Sequence, residues 1–426
     1  MMPTEEELLL PIQLARSSQV GFSRKNPVLG KAQYVTCFCR SKVTNISEQK
    51  NHKVPITMVQ PPSSLTSALL LGLGFLSAAA AQGQQAQCGA GTPDAKVESS
   101  GSSSFRATRG TAQVYSGTDY RAAIQAALDA ITPGQRVAVM ASGSIGAGTI
   151  TLASGKIFEG CGTINVGNRA GRGAIESTNT NDVQIPHLTM TGNPYFGLRF
   201  SGVKNLSLGK ITMNLSGGLG IRFDRDLAPS ANVKMDVVNV TGAGSHAVET
   251  WNIDGLTIGS VVARDVGECG LLLQGTTNAK VGSVEGVNVA KGNGYATLRF
   301  ANNNGQVKNG AGGGYGTTNV FVEKVVSRGG GRGIFCVSRS GAAEIGSVEL
   351  VDNGNNAILI ENCYNIRIKG GKVTGGGEVR LAARSEFPNN KDIWINLDVS
   401  GTSVRESPCG ENTNWELRGS GGRNIC

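Results

Sequence analysis

Gly197-Leu198-Arg199-Phe200 returns as Gly220-Ile221-Arg222-Phe223, then as Gly270-Leu271-Leu272-Leu273, Tyr295-Ala296-Thr297-Leu298, Gly333-Ile334-Phe335-Cys336, Ala357-Ile358-Leu359-Ile360 and Glu378-Val379-Arg380-Leu381. An apolar triplet, usually opened by glycine, thus recurs about every two dozen residues. A repeat of that length is one supersecondary unit stacked on itself, and no unit here has the length or pattern of a helix. The reading is an all-β solenoid. Its use goes beyond fold class, because residues at equivalent places in successive coils become neighbours in space.

Composition agrees. Of 426 residues 61 are Gly, only 17% are charged and 5% aromatic. Gly and Asn cluster between the apolar runs, as in Val351-Asp352-Asn353-Gly354-Asn355-Asn356, and supply the positive φ angles that tight corners need.

Leu65–Ala81 is an apolar run ending in small residues, the pattern of a secretory signal and too short for a membrane span. Met58 precedes it, so residues 1–57 read as an upstream extension and 58–81 as the signal peptide. Beyond residue 81 there are 32 basic and 27 acidic residues, a net +5. A mildly basic secreted chain suits an acidic polymer. Seven cysteines remain, an odd number that leaves one free in an oxidising compartment. Cys409–Cys426 would staple the C-terminal tail and Cys88–Cys161 the N-terminal end, and neither pair has metal-ligand spacing. Sequons stand at Asn205, Asn214 and Asn239.

Residues 82–112 read as a linker or extended lead-in. Thr118–Ile131 is the one convincing helix: Thr118 or Asp119 can cap it, Ala123, Ile124, Ala127, Leu128 and Ile131 form its apolar stripe, and Pro133-Gly134 stops it. Residues 113–400 are expected to form the solenoid and 401–426 the stapled tail. A solenoid must cover its first open coil, and this helix is the candidate cap.

A helix, then Pro-Gly, an apolar strand and Gly/Asn-punctuated coils resembles the pectin-lyase-like superfamily of right-handed parallel β-helices. The resemblance covers about residues 113–400. It implies a fold firmly and an activity only loosely, since lyases, hydrolases and binding proteins share that scaffold. Polygalacturonase-like hydrolases carry Asn-Thr-Asp, Asp-Asp, Gly-His-Gly and Arg-Ile-Lys in order. This chain has Arg367-Ile368-Lys369 but no Asp-Asp and no Gly-His-Gly. Arg367–Lys369 is therefore read as an ordinary strand.

The coil containing Ser245–Trp251 admits two registers. If Ala247 points inward, so does Glu249, burying an unpaired carboxylate at a cost of several kcal/mol. With Val248 and Thr250 inward, Glu249 and Trp251 face out, and this register is preferred. Alternation then gives two outward columns. One runs Arg199, Arg222, Glu249, Leu272, Thr297, Phe335, Leu359, Arg380. The other runs Ser201, Asp224, Trp251, Gln274, Arg299, Val337, Glu361, Ala382. At about 4.8 Å per coil, Arg222, Asp224, Glu249, Trp251, Gln274 and Arg299 fall within roughly 15–20 Å. They make a candidate sugar groove, with an exposed Trp251 indole and the loop Asn302–Gly316 poised to overhang it. His246 reads as a turn residue, and Asp265 and Glu268 as structural.

The expected function is a secreted enzyme cleaving an acidic, uronate-containing polysaccharide. Asp224, Glu249 and Arg299 are the catalytic candidates; Arg222, Trp251, Gln274, Glu361 and Arg380 are the substrate-binding ones. In an elimination, Arg299 would neutralise the uronate or take its proton, and Asp224, Glu249 or Glu361 could hold a Ca²⁺. In a hydrolysis, Asp224 and Glu249 would stand roughly 8 Å apart, the spacing of inverting enzymes. A non-catalytic cell-wall-binding or host-interaction protein on the same scaffold is the alternative. Arg328-Gly329-Gly330-Gly331-Arg332-Gly333 resembles a nucleic-acid segment but reads as a glycine corner, so no nucleic-acid partner is expected. The chain is expected to act as a monomer, free of the membrane once the signal is cleaved.

Overall fold

A computed structural model describes residues 87–292, 294–309 and 312–426. The extension at 1–57 and the signal segment at 58–81 lie outside the described residues. The chain winds as a parallel β-solenoid whose coils alternate between two long sheets. The 12-stranded sheet, here sheet B, carries the glycine-apolar phrases. It includes the strands Phe196–Ser201, Leu219–Phe223, Val248–Trp251, Leu271–Gln274, Ala296–Ala301, Arg332–Cys336, Asn356–Glu361 and Glu378–Ala382. Sheet A is 17-stranded and holds the longer strands, such as Lys204–Leu215, Ser230–Thr241 and Ile253–Arg264.

The two sheets enclose one continuous apolar core. On sheet B the inward column runs Leu198, Ile221, Val248, Leu271, Leu298, Ile334, Ile358, Val379, and all eight are buried. A second inward column includes Phe200 and Phe223, whose ring centroids lie 5.3 Å apart. Parallel strands of Val, Ile, Leu and Phe with both faces occupied are what such stacking requires. Backbones crowd within the long strands of sheet A. A Cβ on Gly282 would fall 2.5 Å from the Gly259 carbonyl oxygen, so only glycine fits there. At the corners entering sheet A, Asn205 (φ +56°) and Asn232 (φ +54°) stack: Asn232 Nδ2 donates to Asn205 Oδ1 (3.2 Å), and Asn205 Nδ2 to Asp182 Oδ1 (2.9 Å). Of the sequon residues, Asn205 and Asn214 are exposed and Asn239 is half-buried.

Helix α1 spans Tyr120–Ala130, with Asp119 as N-cap: its Oδ1 accepts the Ala122 N–H at 2.8 Å. Its apolar face joins the core, and the Tyr120 hydroxyl donates to the Ala141 carbonyl (2.6 Å). Within residues 82–112, read as a linker or extended lead-in, the chain already forms regular structure. Ala95–Gly101 and Ser104–Arg109 are strands that pair antiparallel, and Ala112–Gly117 adds a third. Alternating small and apolar residues (Ala95, Val97, Ala107) bury there despite the Ser-rich composition. The expected tail also continues the stack, Ser403–Glu406 and Gly422–Asn424 joining sheet B and Glu411–Arg418 joining sheet A.

Three disulfides form, Cys88–Cys161, Cys336–Cys363 and Cys409–Cys426, and Cys269 is the free, buried cysteine among the described residues. Among those residues no helix is long and apolar enough to cross a membrane.

Candidate functional site

The outer face of sheet B brings most of the expected residues together. Arg222 pairs with Glu249 across adjacent strands, and Trp251 with Gln274. Glu249 and Trp251 point away from the core, as the preferred register requires. Neither is exposed, however: Glu249 is 5% and Trp251 9% accessible. The expectation of an exposed indole is corrected, because Trp251 Nε1 donates to Glu249 Oε1 (2.9 Å) and the Arg225 guanidinium lies 5.5 Å over its ring.

One strand departs from the expected register. Leu271 pairs with Leu298 rather than Ala296, which moves Arg299 opposite Leu272 and into the column of Arg222 and Glu249. The reason is volume. With Leu298 and Phe300 inward the core is filled, whereas an inward Ala296 would leave a cavity. The column therefore runs Glu176, Arg199, Arg222, Glu249, Leu272, Arg299, Phe335, Leu359, Arg380.

Its first half is a closed ionic ladder. Glu176 accepts from Arg172 (2.6 Å), from Arg199 (3.2 Å) and from the Gly173 N–H (2.6 Å). Arg199 Nε reaches Asp224 Oδ2 at 2.9 Å, and Arg222 bridges Asp224 (3.6 Å) and Glu249. Glu249 Oε1 also accepts from Gln274 Nε2 (2.9 Å), while Asn302 Nδ2 donates to Gln274 Oε1 (2.6 Å). Burial would raise the pKa of Glu249, but the Arg222 guanidinium and the indole N–H bonded to it act the other way and hold the carboxyl below its ordinary range. An inverting pair needs one protonated carboxyl. Asp224 and Glu249 are instead tied by one guanidinium, so neither is placed as a general acid. The same saturation bears on calcium. Ca²⁺ takes six to eight oxygens, whereas Asp224 and Glu249 spend theirs on Arg199, Arg222, Trp251 and Gln274, and Glu361 accepts from Arg384 (2.6 Å). These donors do not fit the ion.

Past Leu272 the face changes character. The Arg299 guanidinium lies 5.2 Å from the Phe335 ring centroid and 5.7 Å from that of Tyr295. Arg332 comes to the same Phe335 ring at 4.8 Å. Arg332 Nε donates to Asn356 Oδ1 (3.2 Å), while its buried Nη1 has no hydrogen-bond partner among the described residues. Burial and the charges of Arg299 and Arg384 lower the Arg332 pKa, against the pull of Glu361. Arg380, paired with Glu378 at 3.5 Å, sits three coils from Arg299. Glu361 and Arg380 are thus outside the Arg222–Gln274 network.

Sequence reasoning missed a second cluster at the turn edge of this face. Glu268 accepts from the Ser245 hydroxyl, from His246 Nε2 (3.0 Å) and from the Tyr295 hydroxyl. Two influences compete at His246. The surrounding Cys269 sulfur, Glu249 and Glu268 favour the imidazolium and, against the cost of burial, would raise its pKa to about 9. Its Nδ1, however, accepts the Cys269 N–H at 3.0 Å, which only a neutral ring can do. The direct bond decides, and the ring carries its proton on Nε2. Burial and Glu268 raise the Tyr295 pKa, so its phenol stays protonated. Arg332 was missed because Gly331-Arg332-Gly333 reads as a corner; the signal was its place one coil from Arg299.

The described residues of the loop Asn302–Gly316 lead towards sheet A rather than over this face. Asn302 touches Gln274, and Val307–Asn309 pairs with Gly312–Gly314 as a hairpin. Tyr315 stacks on Tyr364 at 5.1 Å, and its carbonyl accepts from Asn365 Nδ2 (2.8 Å), which draws the loop towards sheet A. No protein-family model matches the chain, nor does any curated protein or solved structure.

Proposed function

We propose that the protein is a secreted carbohydrate-active enzyme that holds an acidic, uronate-containing polysaccharide along the outer face of sheet B and cleaves it by β-elimination. One observation carries the reading: two guanidiniums, Arg299 and Arg332, converge on Phe335, and the buried Nη1 of Arg332 has no hydrogen-bond partner among the described residues. Like charges this close repel, and an anion between them relieves the repulsion. The neighbouring ladder is internally neutralised, so an incoming carboxylate is drawn past it to this point. The parallel β-solenoid is consistent with the pectin-lyase-like resemblance, and three disulfides suit an oxidising compartment.

Elimination needs the substrate carboxylate neutralised, the proton α to it removed, and the β oxygen protonated as its bond to carbon breaks and the C=C bond forms. Arg299 neutralises the carboxylate. Arg332 acts as base only after giving a proton to solvent, a loss that burial and the Arg299 and Arg384 charges make easier; the neutral guanidine then takes the α proton and returns to the guanidinium. Tyr295, kept protonated beside Glu268, gives a proton to the leaving oxygen. Glu249, Asp224 and Arg222 act as the rigid support beside Arg299 and Arg332, which together form an arginine rail.

The test is incubation with polygalacturonate, alginate and glucuronan, following the ultraviolet absorbance of the unsaturated uronate alongside reducing ends. Absorbance that disappears in Arg332→Ala with an unchanged melting curve is the expected result. Reducing ends without absorbance would mean hydrolysis. Retained polyuronate binding with neither signal would make the protein a non-catalytic binder, the reading that the saturated carboxylates also suit.

A further inference from the structure

A second polar cleft, of about 350 Å³, lies on sheet A near its C-terminal end and shares no residue with the face just described. Its floor is a column of three successive coils, Arg367, Trp394 and Asn414, and one wall is Tyr315 from the inserted loop. Such a size is within the range of small-ligand sites.

The half-buried Trp394 is held in plane by its Nε1–H bond to Glu416 Oε1 (3.1 Å), and Arg367 lies 5.8 Å from its ring centroid. Around the ring stand short polar groups already set in orientation. Asn412 Nδ2 donates to Asp392 Oδ1 (2.6 Å), and the Asn365 amide is fixed on the Tyr315 carbonyl, which leaves Asn365 Oδ1 as an acceptor. An indole flanked by amides, one carboxylate and one guanidinium matches the two surfaces of a sugar, its C–H face and its hydroxyl edge. Charge decides which sugar. Arg367 and Asp392 offset each other in the lining, whereas the sheet B site concentrates arginines.

The geometry points to a binding site for a neutral oligosaccharide in the Trp394 cleft, separate from the acidic-glycan face of sheet B. A glycan with both neutral and uronate segments would then engage two faces at once, a consequence that rests on the proposed function; the cleft's own chemistry does not.

The experiment is isothermal titration of the full chain with xylohexaose, cellohexaose, mannohexaose and trigalacturonate, in wild type, Trp394→Ala, Trp394→Phe and Arg332→Ala, each checked by its melting curve. At least one neutral hexaose binds wild type with a Kd near or below about 1 mM. Trp394→Ala weakens that binding about tenfold or more, Trp394→Phe keeps most of it, and Arg332→Ala leaves it unchanged. The inference is overturned if no neutral hexaose binds, if Trp394→Ala binds as wild type does, or if Trp394→Ala loses only trigalacturonate. Loss of trigalacturonate binding in Arg332→Ala alone bears on the sheet B proposal and leaves this one untouched.

Discussion

Replacing Glu249 by Gln tests the ladder at its most constrained point. The substitution keeps shape but removes the charge that Arg222 meets, and turns one acceptor into an N–H₂ facing that guanidinium. Breaking a fully buried pair costs about 3–5 kcal/mol, but Arg222 is 23% exposed and keeps Asp224. With Trp251 and Gln274 still donating to the remaining oxygen, the expected loss is about 2–3 kcal/mol. At roughly 2.1 cal/mol/K per residue over about 340 residues, that lowers Tm by about 3–4 °C. Because the folded pKa of Glu249 is depressed, its contribution is complete above the ordinary value of 4.5 and fades as pH falls through the folded one. Melting followed by calorimetry at neutral pH and again well below 4.5 should therefore show the gap between wild type and variant narrowing in acid. A Tm within about 1 °C of wild type at neutral pH, or a gap that does not change with pH, would refute the account of Glu249 as a charged anchor.

Four further outcomes follow from the packing and the disulfides. Phe223→Ala, which removes a fully buried ring stacked on Phe200, should cost about 3–5 kcal/mol in denaturant melts. Gly331→Ala places a Cβ 1.7 Å from the Ala290 carbonyl oxygen and should leave little folded protein, seen as lost protection from protease; normal yield and Tm would contradict the corner geometry. Alkylation of protein unfolded without reductant should label Cys269 alone among the described cysteines, and Cys336→Ser with Cys363→Ser should cost about 3–4 kcal/mol for a closed loop with a sequence separation of 27.

Much of the fold was legible because inward positions must be large and apolar in every coil, so a glycine-apolar phrase doubles as a register mark. The same rule explains the slip at Tyr295–Leu298. Ala296 satisfies a pattern of apolar letters but not of volume, and weighing Leu298 and Phe300 by size would have placed Arg299 correctly. Glu249 and Trp251 were assigned to the right side of the sheet, but their burial was hidden. Alternation says which way a side chain points, not how densely its neighbours cover it. The cluster of Ser245, His246, Glu268 and Tyr295 was missed because turn residues obey no apolar period. Yet Ser245 and Glu268 are 23 residues apart, the same one-coil interval, so the coil spacing holds at the turns as well.

The positions of the disulfides have a mechanical meaning. Pulled from its ends, a solenoid unwinds coil by coil from whichever terminus frays first. Here Cys88–Cys161 and Cys409–Cys426 lock the two terminal regions, and Cys336–Cys363 ties one coil to the next within the stack. The sheet B coils of the arginine rail lie between the first and middle staples, shielded from peeling on either side. Under a molecular tether, extension should arrive in discrete steps that shorten when the staples are present and merge into longer releases when they are reduced. A protein pulled along the fibres of a polymer network would keep its arginine rail intact longest.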